Sequence, residues 1–315
     1  MKLLTTALTD VGRVRSANED SFVIDDDAGL LAVADGMGGH QAGEVASATA
    51  IDALRTGIRD GRPIDEAIVD ANTAVVSRAS EDPALRGMGT TLTAALFDDD
   101  HVLVIGHVGD SRAYLLRDGE LEQLTVDHSV VAELIAAGQL TEAEAEIDPR
   151  RAMITRGLGI DVAVEVDVIP VALTAGDRLM FCSDGLTTML RDDAIAEVLR
   201  SEADRGRAAH ELIEAANDAG GVDNITVLLV DVADDDFVEP EPEAPSEPEA
   251  PPAASDPDAD TLDLGEPPVD PLADLDIDLD EPLPQPAPTP EPAPDPTGEA
   301  EPVTKRHWWQ RRTRS

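Results

Sequence analysis

Aspartates beside glycines recur in this sequence where apolar stretches end. Asp35 follows Leu-Ala-Val-Ala and precedes Gly36, and Asp184 follows Leu-Met-Phe-Cys-Ser and precedes Gly185. An isolated Asp-Gly pair often only makes a turn. A carboxylate at the end of a buried strand, however, costs free energy unless it is paired or binds a cation. The repeated pattern therefore predicts that these carboxylates converge on metal ions.

The expected metal donors are carboxylate oxygens. Further acidic residues lie at predicted strand ends or tight turns, namely Glu19, Asp20, Asp110 and Asp223. Cys182 is the single cysteine, which excludes an intrachain disulfide and a multi-cysteine metal site. An oxygen donor set without sulfur favours hard cations such as Mg²⁺ or Mn²⁺.

The elements that would position these residues follow from hydrophobic periodicity. Short apolar stretches predict strands at Leu30–Ala34, Thr90–Phe97, Val102–Val108, Arg112–Leu116, Ala163–Val168, Arg178–Cys182 and Ile225–Val232. Helical spacing predicts helices at Ala42–Ile58, Ile64–Ala79, Ser129–Ala137, Asp193–Leu199 and Arg205–Ala219. Strands come in runs separated by paired helices, without strict alternation, which favours a layered α+β domain.

Charge and proline divide the chain of 315 residues, which holds 66 acidic and 23 basic side chains. Residues 234–304 contain 23 acidic residues, 19 of the 23 prolines and no basic residue, which predicts a disordered acidic tail after a globular domain at 1–233. The net charge of -43 argues against nucleic-acid binding. No apolar run is long enough to span a membrane and no signal peptide is evident, so we expect a soluble, cytoplasmic protein.

The segment 305–315 reverses the sign of the charge. Five basic residues surround Trp308 and Trp309, the only tryptophans of the chain. One interpretation is a solvated end whose cations pair with the preceding acids. The other is weak contact of residues 305–314 with an anionic membrane surface, for which this composition is suited.

Eight motifs follow one another through the globular part. They are Gly12-Arg13-Val14-Arg15-Ser16-Ala17-Asn18-Glu19-Asp20-Ser21, Ala34-Asp35-Gly36-Met37-Gly38-Gly39-His40, Gly87-Met88-Gly89-Thr90-Thr91, Gly109-Asp110-Ser111-Arg112-Ala113-Tyr114, Leu124-Thr125-Val126-Asp127-His128-Ser129, Ile154-Thr155-Arg156-Gly157-Leu158-Gly159, Cys182-Ser183-Asp184-Gly185-Leu186 and Gly220-Gly221-Val222-Asp223-Asn224-Ile225-Thr226. In this order and spacing they resemble the metal-dependent protein phosphatases of type 2C in their bacterial form. The resemblance covers about residues 3–233. It implies two packed antiparallel β-sheets flanked by helix pairs, with a metal cluster between the sheets at one end.

The resemblance also implies roles for the acidic residues. Asp35 matches a ligand that bridges two metals, and the Gly36 carbonyl matches a ligand of the second. Asp184 and Asp223 match the other ligands of the first metal. The expected cofactor is a pair of Mn²⁺ or Mg²⁺ ions, with a possible third.

Other positions match the surroundings of that metal pair. Asp110 matches a ligand of the third, weaker metal, and Glu19 with Asp20 matches an acidic pair that holds waters on the second metal. Arg15 matches the arginine that grips the substrate phosphate. Residues 129–148 correspond to a flap beside the site.

The implied activity is hydrolysis of phosphoserine and phosphothreonine in proteins by a hydroxide that bridges the two metals, as two-metal chemistry allows. The expected catalytic residues are Arg15, Asp35, Asp184 and Asp223. The expected partners are phosphorylated proteins, among them serine/threonine kinases and kinase substrates, and the expected state is a monomer. Met37 stands where some relatives carry a histidine, so the proton donor for the leaving group is open, with His40 as one candidate.

Two other functions stay open from the sequence alone. The chain could be a phosphatase dedicated to a partner-switching regulator, which differs in substrate rather than in chemistry. It could also be an inactive relative that binds phosphoproteins, although the intact Asp35, Asp184, Asp223 and Arg15 argue against that alternative.

Overall fold

The structure, a computed structural model, describes residues 1–39, 41–97, 102–145 and 147–235. His40, nearly all of the predicted acidic tail and the basic segment 305–315 lie outside the described residues.

Eleven strands and seven α-helices make up the described part of the chain. The strands are β1 (Lys2–Asp10), β2 (Asp20–Asp25), β3 (Leu30–Met37), β4 (Gly89–Thr90), β5 (Leu92–Phe97), β6 (Val102–Val108), β7 (Arg112–Arg117), β8 (Glu120–Gln123), β9 (Asp167–Ala172), β10 (Arg178–Cys182) and β11 (Ile225–Ala233). The helices are α1 (Gln41–Arg59), α2 (Ile64–Glu81), α3 (Val130–Ala136), α4 (Glu142–Ala145), α5 (Asp184–Thr187), α6 (Asp192–Ser201) and α7 (Arg205–Asp218).

Two antiparallel sheets form the centre of the fold. The first has the strand order β1-β11-β10-β7-β8, and the second has the order β2-β3-β5-β6-β9 with β4 paired to β3. Strands β1 and β11 pair over their whole length, from Lys2 opposite Ala233 to Asp10 opposite Ile225. The α+β class and the two sheets expected from the sequence are confirmed.

Three apolar clusters show how the layers stack. Leu31 and Val33 of β3 pack with Phe181 of β10 between the two sheets. The alternate residues of β3, Ala32 and Ala34, pack instead against helices α1 and α2, because successive side chains of a strand point to opposite faces. Helices α6 and α7 cover the outer face of the first sheet in the same way. The order of layers is therefore helices, sheet, sheet, helices.

The sequence predicted the inner strands and the long helices, and these are confirmed with ends shifted by a few residues. The strand predicted at Ala163–Val168 is wrong, since β9 spans Asp167–Ala172. Pro170 lies in the middle of β9, where a missing amide is tolerated because β9 is at the edge of its sheet. Strands β1, β2 and β8 were not predicted, and all three are also edge strands.

None of the helices that the structure describes is long and apolar enough to cross a lipid bilayer.

Candidate metal centre

Two of the predicted site residues face each other at one end of the second sheet. Asp20, the first residue of β2, is paired directly with Asp35 of β3. Asp35 shares its strand face with Leu31 and Val33, so the alternation of β3 turns it toward the space between the sheets. Two like charges directly opposite each other destabilise a sheet unless something compensates them.

Asp184 comes to the same place from the first sheet. It is the first residue of α5, directly after the buried strand β10. The carboxyl groups of Asp184 and Asp35 interact with each other, and this interaction helps to raise the pKa of Asp35. A Cβ on Gly185 would collide with the carbonyl oxygen of Asn224, which explains why glycine follows Asp184 at this close contact between α5 and the loop before β11.

Asp110 and Asp223 complete the acidic cluster from two loops. Asp110 lies in the turn between β6 and β7, close enough to Asp184 for their charges to interact. Asp223 lies in the loop before β11, and its carboxylate accepts a hydrogen bond of 2.7 Å from Nη2 of Arg15. The structure thus brings Arg15 beside the acidic cluster, with its side chain 44% exposed.

The four inner carboxyl groups hold protons more tightly than isolated aspartates. Burial raises the pKa of Asp20 to about 7 and that of Asp110 to about 8, with repulsion from Asp184 adding to both. Burial also raises the pKa values of Asp35 and Asp184, helped by neighbouring carboxylates. Such shifts arise where negative charges are crowded together without enough positive charge. A divalent cation would supply that charge.

Asp20 shows where a donor remains unused. Its Oδ2 accepts hydrogen bonds from Ser183 Oγ at 2.8 Å and from Thr226 Oγ1 at 2.6 Å. Its Oδ1 is buried and is one of two buried side-chain polar atoms without a partner in the described residues. Buried oxygens are normally satisfied, so this atom fits a ligand that the protein itself does not supply.

As the side chains stand, no three acidic, histidine or cysteine residues in the described part of the chain are spaced like a ready-made site for one ion. Asp35 and Asp184 interact with each other, and both have raised pKa values. An all-oxygen donor set with one orphaned oxygen suits Mg²⁺ or Mn²⁺ in type, and binding such an ion would release protons.

Glu19 and Gly36 are packed against the start of helix α1. A Cβ on Gly36 would collide with the carbonyl oxygen of Gly43, and a Cβ on Gly43 would collide with Oε2 of Glu19. The main-chain amide of Glu19 donates to Asn224 Oδ1 at 2.8 Å. Glu19 is therefore held at the margin of the cluster, while its neighbour Asp20 faces the centre.

Several polar residues that position the cluster had no role assigned from the sequence. Asn224 donates to the carbonyls of Val11 and Ala17, both at 2.9 Å, and so fixes the loop that carries Arg15. Thr91 holds both main-chain groups of Asp35, accepting from its amide and donating to its carbonyl, each at 2.9 Å. These residues lie inside the same motifs as the acids, and that proximity was the only signal in the sequence.

A two-sheet α+β domain with an acidic cluster where the sheets meet defines a known class of protein, the metal-dependent protein phosphatases. The sequence profile of the family described as protein phosphatase 2C matches residues 13–216. The chain therefore belongs to this family.

Relatives support the same conclusion. The serine/threonine protein phosphatase PstP of Mycobacterium tuberculosis is 44% identical over 243 residues, which are 75% of this chain and 46% of PstP, so the chain matches about half of that relative. The serine/threonine phosphatase stp of Listeria monocytogenes is 42% identical over 236 residues, 71% of this chain and 93% of stp. A crystal structure of the PstP catalytic domain in complex with two manganese ions superposes with a TM-score of 0.65 at 43% identity, over 74% of this chain and 99% of that one.

Proposed function

We propose that the protein is a metal-dependent protein phosphatase that hydrolyses phosphoserine and phosphothreonine. The observation that carries the proposal is the group of mutually repelling carboxylates at the junction of the two sheets in a member of the protein phosphatase 2C family. Buried acids that raise one another's pKa values mark functional sites, because the fold would otherwise pair each of them with a cation.

The proposed ligands are divided between two core cations and a third, weaker one. Asp35, Asp184 and Asp223 would hold the core pair together with the main-chain carbonyl of Gly36. Asp110 would hold the third cation. Glu19 and Asp20 would order water at the edge of the site, where the unpartnered Oδ1 of Asp20 supports the assignment.

The proposed cofactor is Mn²⁺ or Mg²⁺. The oxygen donors fit either ion, and the manganese ions in the PstP crystal structure favour Mn²⁺. When bound, the cations supply an activated water for in-line attack on phosphorus.

Arg15 is the proposed phosphate-binding residue. Its guanidinium is exposed on one side and now pairs with Asp223. Cations bound by Asp223 would weaken this pair and free the planar fork for two phosphate oxygens.

Hydrolysis of p-nitrophenyl phosphate and of a phosphothreonine peptide, each with Mn²⁺ and with EDTA, tests the proposal directly. We expect hydrolysis only with metal, and its loss in Asp35→Asn. Asp25→Asn is the matched control, since Asp25 lies on the same hairpin but outside the cluster. A metal-loaded protein that binds the phosphopeptide without hydrolysing it would identify an inactive binding protein instead.

The proposed substrates are autophosphorylated serine/threonine kinases and their target proteins. The names of the relatives support a protein substrate but leave the partner unnamed. A partner-switching regulator is the alternative. Comparing kcat/KM on a phosphorylated kinase domain and on a phosphorylated regulator would separate the two.

We also propose that residues 1–233 form a monomeric catalytic domain in the cytoplasm and that residues 305–314 touch anionic membrane surfaces. Strand β11 ends at Ala233, so a protein truncated there keeps every described element. It should melt within about 5 °C of the full chain and hydrolyse p-nitrophenyl phosphate equally well. The membrane contact is tested by co-sedimentation with anionic vesicles, in which the full chain is compared with the Trp308→Ala/Trp309→Ala variant.

A further inference from the structure

His128 lies outside the acidic cluster but is bound to the turn that carries Asp110. The amide of Gly109 donates to Nδ1 of His128 at 3.0 Å, and the amide of His128 donates to the carbonyl of Gly109 at 2.8 Å. Both main-chain groups of the residue before Asp110 are thus held by one histidine. His128 is buried, with 7% of its surface exposed.

The turn is also fixed from its opposite side. Gly109 has a φ of +115°, and a Cβ there would come within 2.6 Å of the Thr91 side chain. Thr91 in turn holds both main-chain groups of Asp35, and its hydroxyl is 2.7 Å from that of Ser111. Thr91 therefore holds the main chain of Asp35 through two hydrogen bonds, and His128 holds the main chain of Gly109, next to Asp110, through two more.

The hydrogen bond from Gly109 determines which nitrogen of the His128 ring carries the proton. Since Nδ1 accepts a hydrogen bond, the ring proton belongs on Nε2, which lies 3.2 Å from Oδ2 of Asp167. Nη1 of Arg156 lies 3.0 Å from the same ring nitrogen and donates a hydrogen bond of 2.7 Å to Oδ1 of Asp167. The ring of His107 packs against the ring of His128 with centroids 4.7 Å apart. Burial lowers the pKa of His128, which keeps Nδ1 free to accept.

The main chain of His128 is itself fixed at the base of the segment predicted as a flap. Its carbonyl accepts from the amide of Thr155 at 2.7 Å. Next to it, the amide of Val130 donates to the carbonyl of Met153 at 2.9 Å. His128, which holds Gly109, therefore also lies where the two ends of the segment from Val130 to Met153 are hydrogen-bonded together.

We propose that His128 is a positioning residue for Asp110, and that ring nitrogen Nδ1, by holding Gly109, sets the place of the Asp110 carboxylate and so the affinity of the third cation. This inference rests on the proposed role of Asp110 as a metal ligand. The carboxylate follows a glycine and would otherwise sample several backbone conformations. Groups that orient a ligand typically change metal affinity by about 10–100-fold when they are lost.

Two substitutions separate the two ring nitrogens. In His128→Asn the side-chain oxygen lies near the place of Nδ1 and can still accept from Gly109. In His128→Gln the amide reaches the place of Nε2 and can still meet Asp167, but it leaves Gly109 without its acceptor. Both variants are polar and smaller than or similar to histidine, so each serves as the volume control of the other.

The first measurement is hydrogen–deuterium exchange of the full-length, metal-free protein, followed in peptides that cover residues 105–112. We expect wild type and His128→Asn to protect the Gly109 amide, and His128→Gln to exchange it about tenfold faster or more. Equal protection in wild type and His128→Gln would overturn the proposal, whatever the metal site does.

The second measurement is a Mn²⁺ titration that follows free Mn²⁺ by electron paramagnetic resonance. The weakest site should lose about tenfold or more in affinity in His128→Gln and stay within about threefold of wild type in His128→Asn. The reverse order would assign the effect to Asp167 and overturn the role of Nδ1. Asp110→Asn is the reference variant. If the affinity of the weakest site for Mn²⁺ is unchanged in Asp110→Asn, Asp110 is not a metal ligand. The hydrogen–deuterium exchange result would still decide whether His128 holds Gly109.

If both His128 variants fail to fold, the wild-type protein provides the test. In ¹⁵N-histidine-labelled protein we expect the His128 ring to carry its proton on Nε2 and to show an unprotonated, hydrogen-bonded Nδ1. A proton on Nδ1 would overturn the proposal, since that nitrogen could then not accept from Gly109.

Discussion

The two ends of strand β2 carry aspartates in opposite surroundings. Asp25, which is 6% exposed, accepts hydrogen bonds from Nε of Arg59 at 2.8 Å and from Nε of Arg55 at 3.1 Å. These bonds, that from Arg59 above all, lower the pKa of Asp25. Asp20, five residues earlier, faces Asp35, and burial among other carboxylates raises its pKa to about 7.

The contrast extends beyond β2. Asp127, Asp177 and Asp231 are each paired with an arginine at 2.6–2.7 Å, like Asp25. In the acidic cluster Arg15 is the one basic side chain paired by a salt bridge among the described residues, and it reaches only Asp223. Elsewhere the fold therefore pairs its shielded acids with its own arginines, whereas most acids at the sheet junction have no such partner among the described residues. On the function proposed above, this difference would separate structural acids from metal ligands.

The strongest test removes a cluster acid. We expect Asp35→Asn and Asp223→Asn each to lower kcat on p-nitrophenyl phosphate by about a hundredfold or more, because the core cations lose a charged ligand. Steady-state kinetics in saturating Mn²⁺ measure this. The melting temperature of metal-free Asp35→Asn should stay level or rise, since a repelling carboxylate has been removed. Near-normal turnover would refute the ligand role.

Arg15, the basic side chain paired with the acidic cluster, gives the second test. Arg15→Ala should lower kcat/KM by about tenfold or more, chiefly through KM, because a bidentate charged contact to phosphate is lost. Arg15→Lys should recover only part of the loss, since lysine lacks the planar fork. If KM stays the same in Arg15→Ala while the melting temperature falls, Arg15 is a structural partner of Asp223.

Asp25 supplies the opposite prediction. Asp25→Asn should lower the melting temperature by a few degrees and leave kcat and KM unchanged, because Arg55 and Arg59 lose a buried anionic acceptor far from the cluster. Calorimetry beside the same kinetic assay checks both halves. If Asp25→Asn instead lost activity while its melting temperature stayed unchanged, Asp25 would not be a purely structural acid.

The smallest expected effect is on the pH dependence of stability without metal. The raised pKa values of Asp20, about 7, and Asp110, about 8, mean that the folded state binds more protons than the unfolded state up to that range. Stability should therefore fall as pH rises from 6.5 to 8.5. The lowered pKa values of His107 and His128 act in the opposite direction, but only below about 6.5.

In EDTA we expect the melting temperature to be a few degrees lower at pH 8.5 than at pH 6.5, and saturating Mn²⁺ to remove the decline. A flat profile in EDTA would mean that the cluster acids are already compensated. Asp35→Asn should flatten the profile and Asp25→Asn should leave its slope in place.

The sequence predicted the buried parts of the fold better than its margins. Strands β3, β6 and β10 were predicted because both of their faces are covered, which produces continuous apolar runs. Edge strands such as β1 and β8 have one free side and mixed polarity, so periodicity alone does not separate them from loops. Asp35 and Asp184 were predicted as metal ligands because each stands at the end of an apolar run.

Other site residues could not be found in that way. Asp110, Asp223 and Arg15 lie in loops: the two acids were singled out only as carboxylates at predicted turns, and Arg15 only by its place within the family motifs. Thr91 and His128 form hydrogen bonds with main-chain atoms of residues distant in sequence, so no local sequence pattern predicts these bonds. Their roles follow only from the tertiary structure.

The pairing of β1 with β11 has a consequence for how the protein is made. Strand β1 leaves the ribosome first, but its only described strand partner begins at Ile225. At about 5–20 residues per second, translation takes roughly 10–40 s to cover that interval. The cluster likewise draws residues from Asp20 to Asp223 and cannot assemble earlier. The nascent chain must therefore carry β1 without its described partner until β11 has been made, and the acidic cluster can form only after that point.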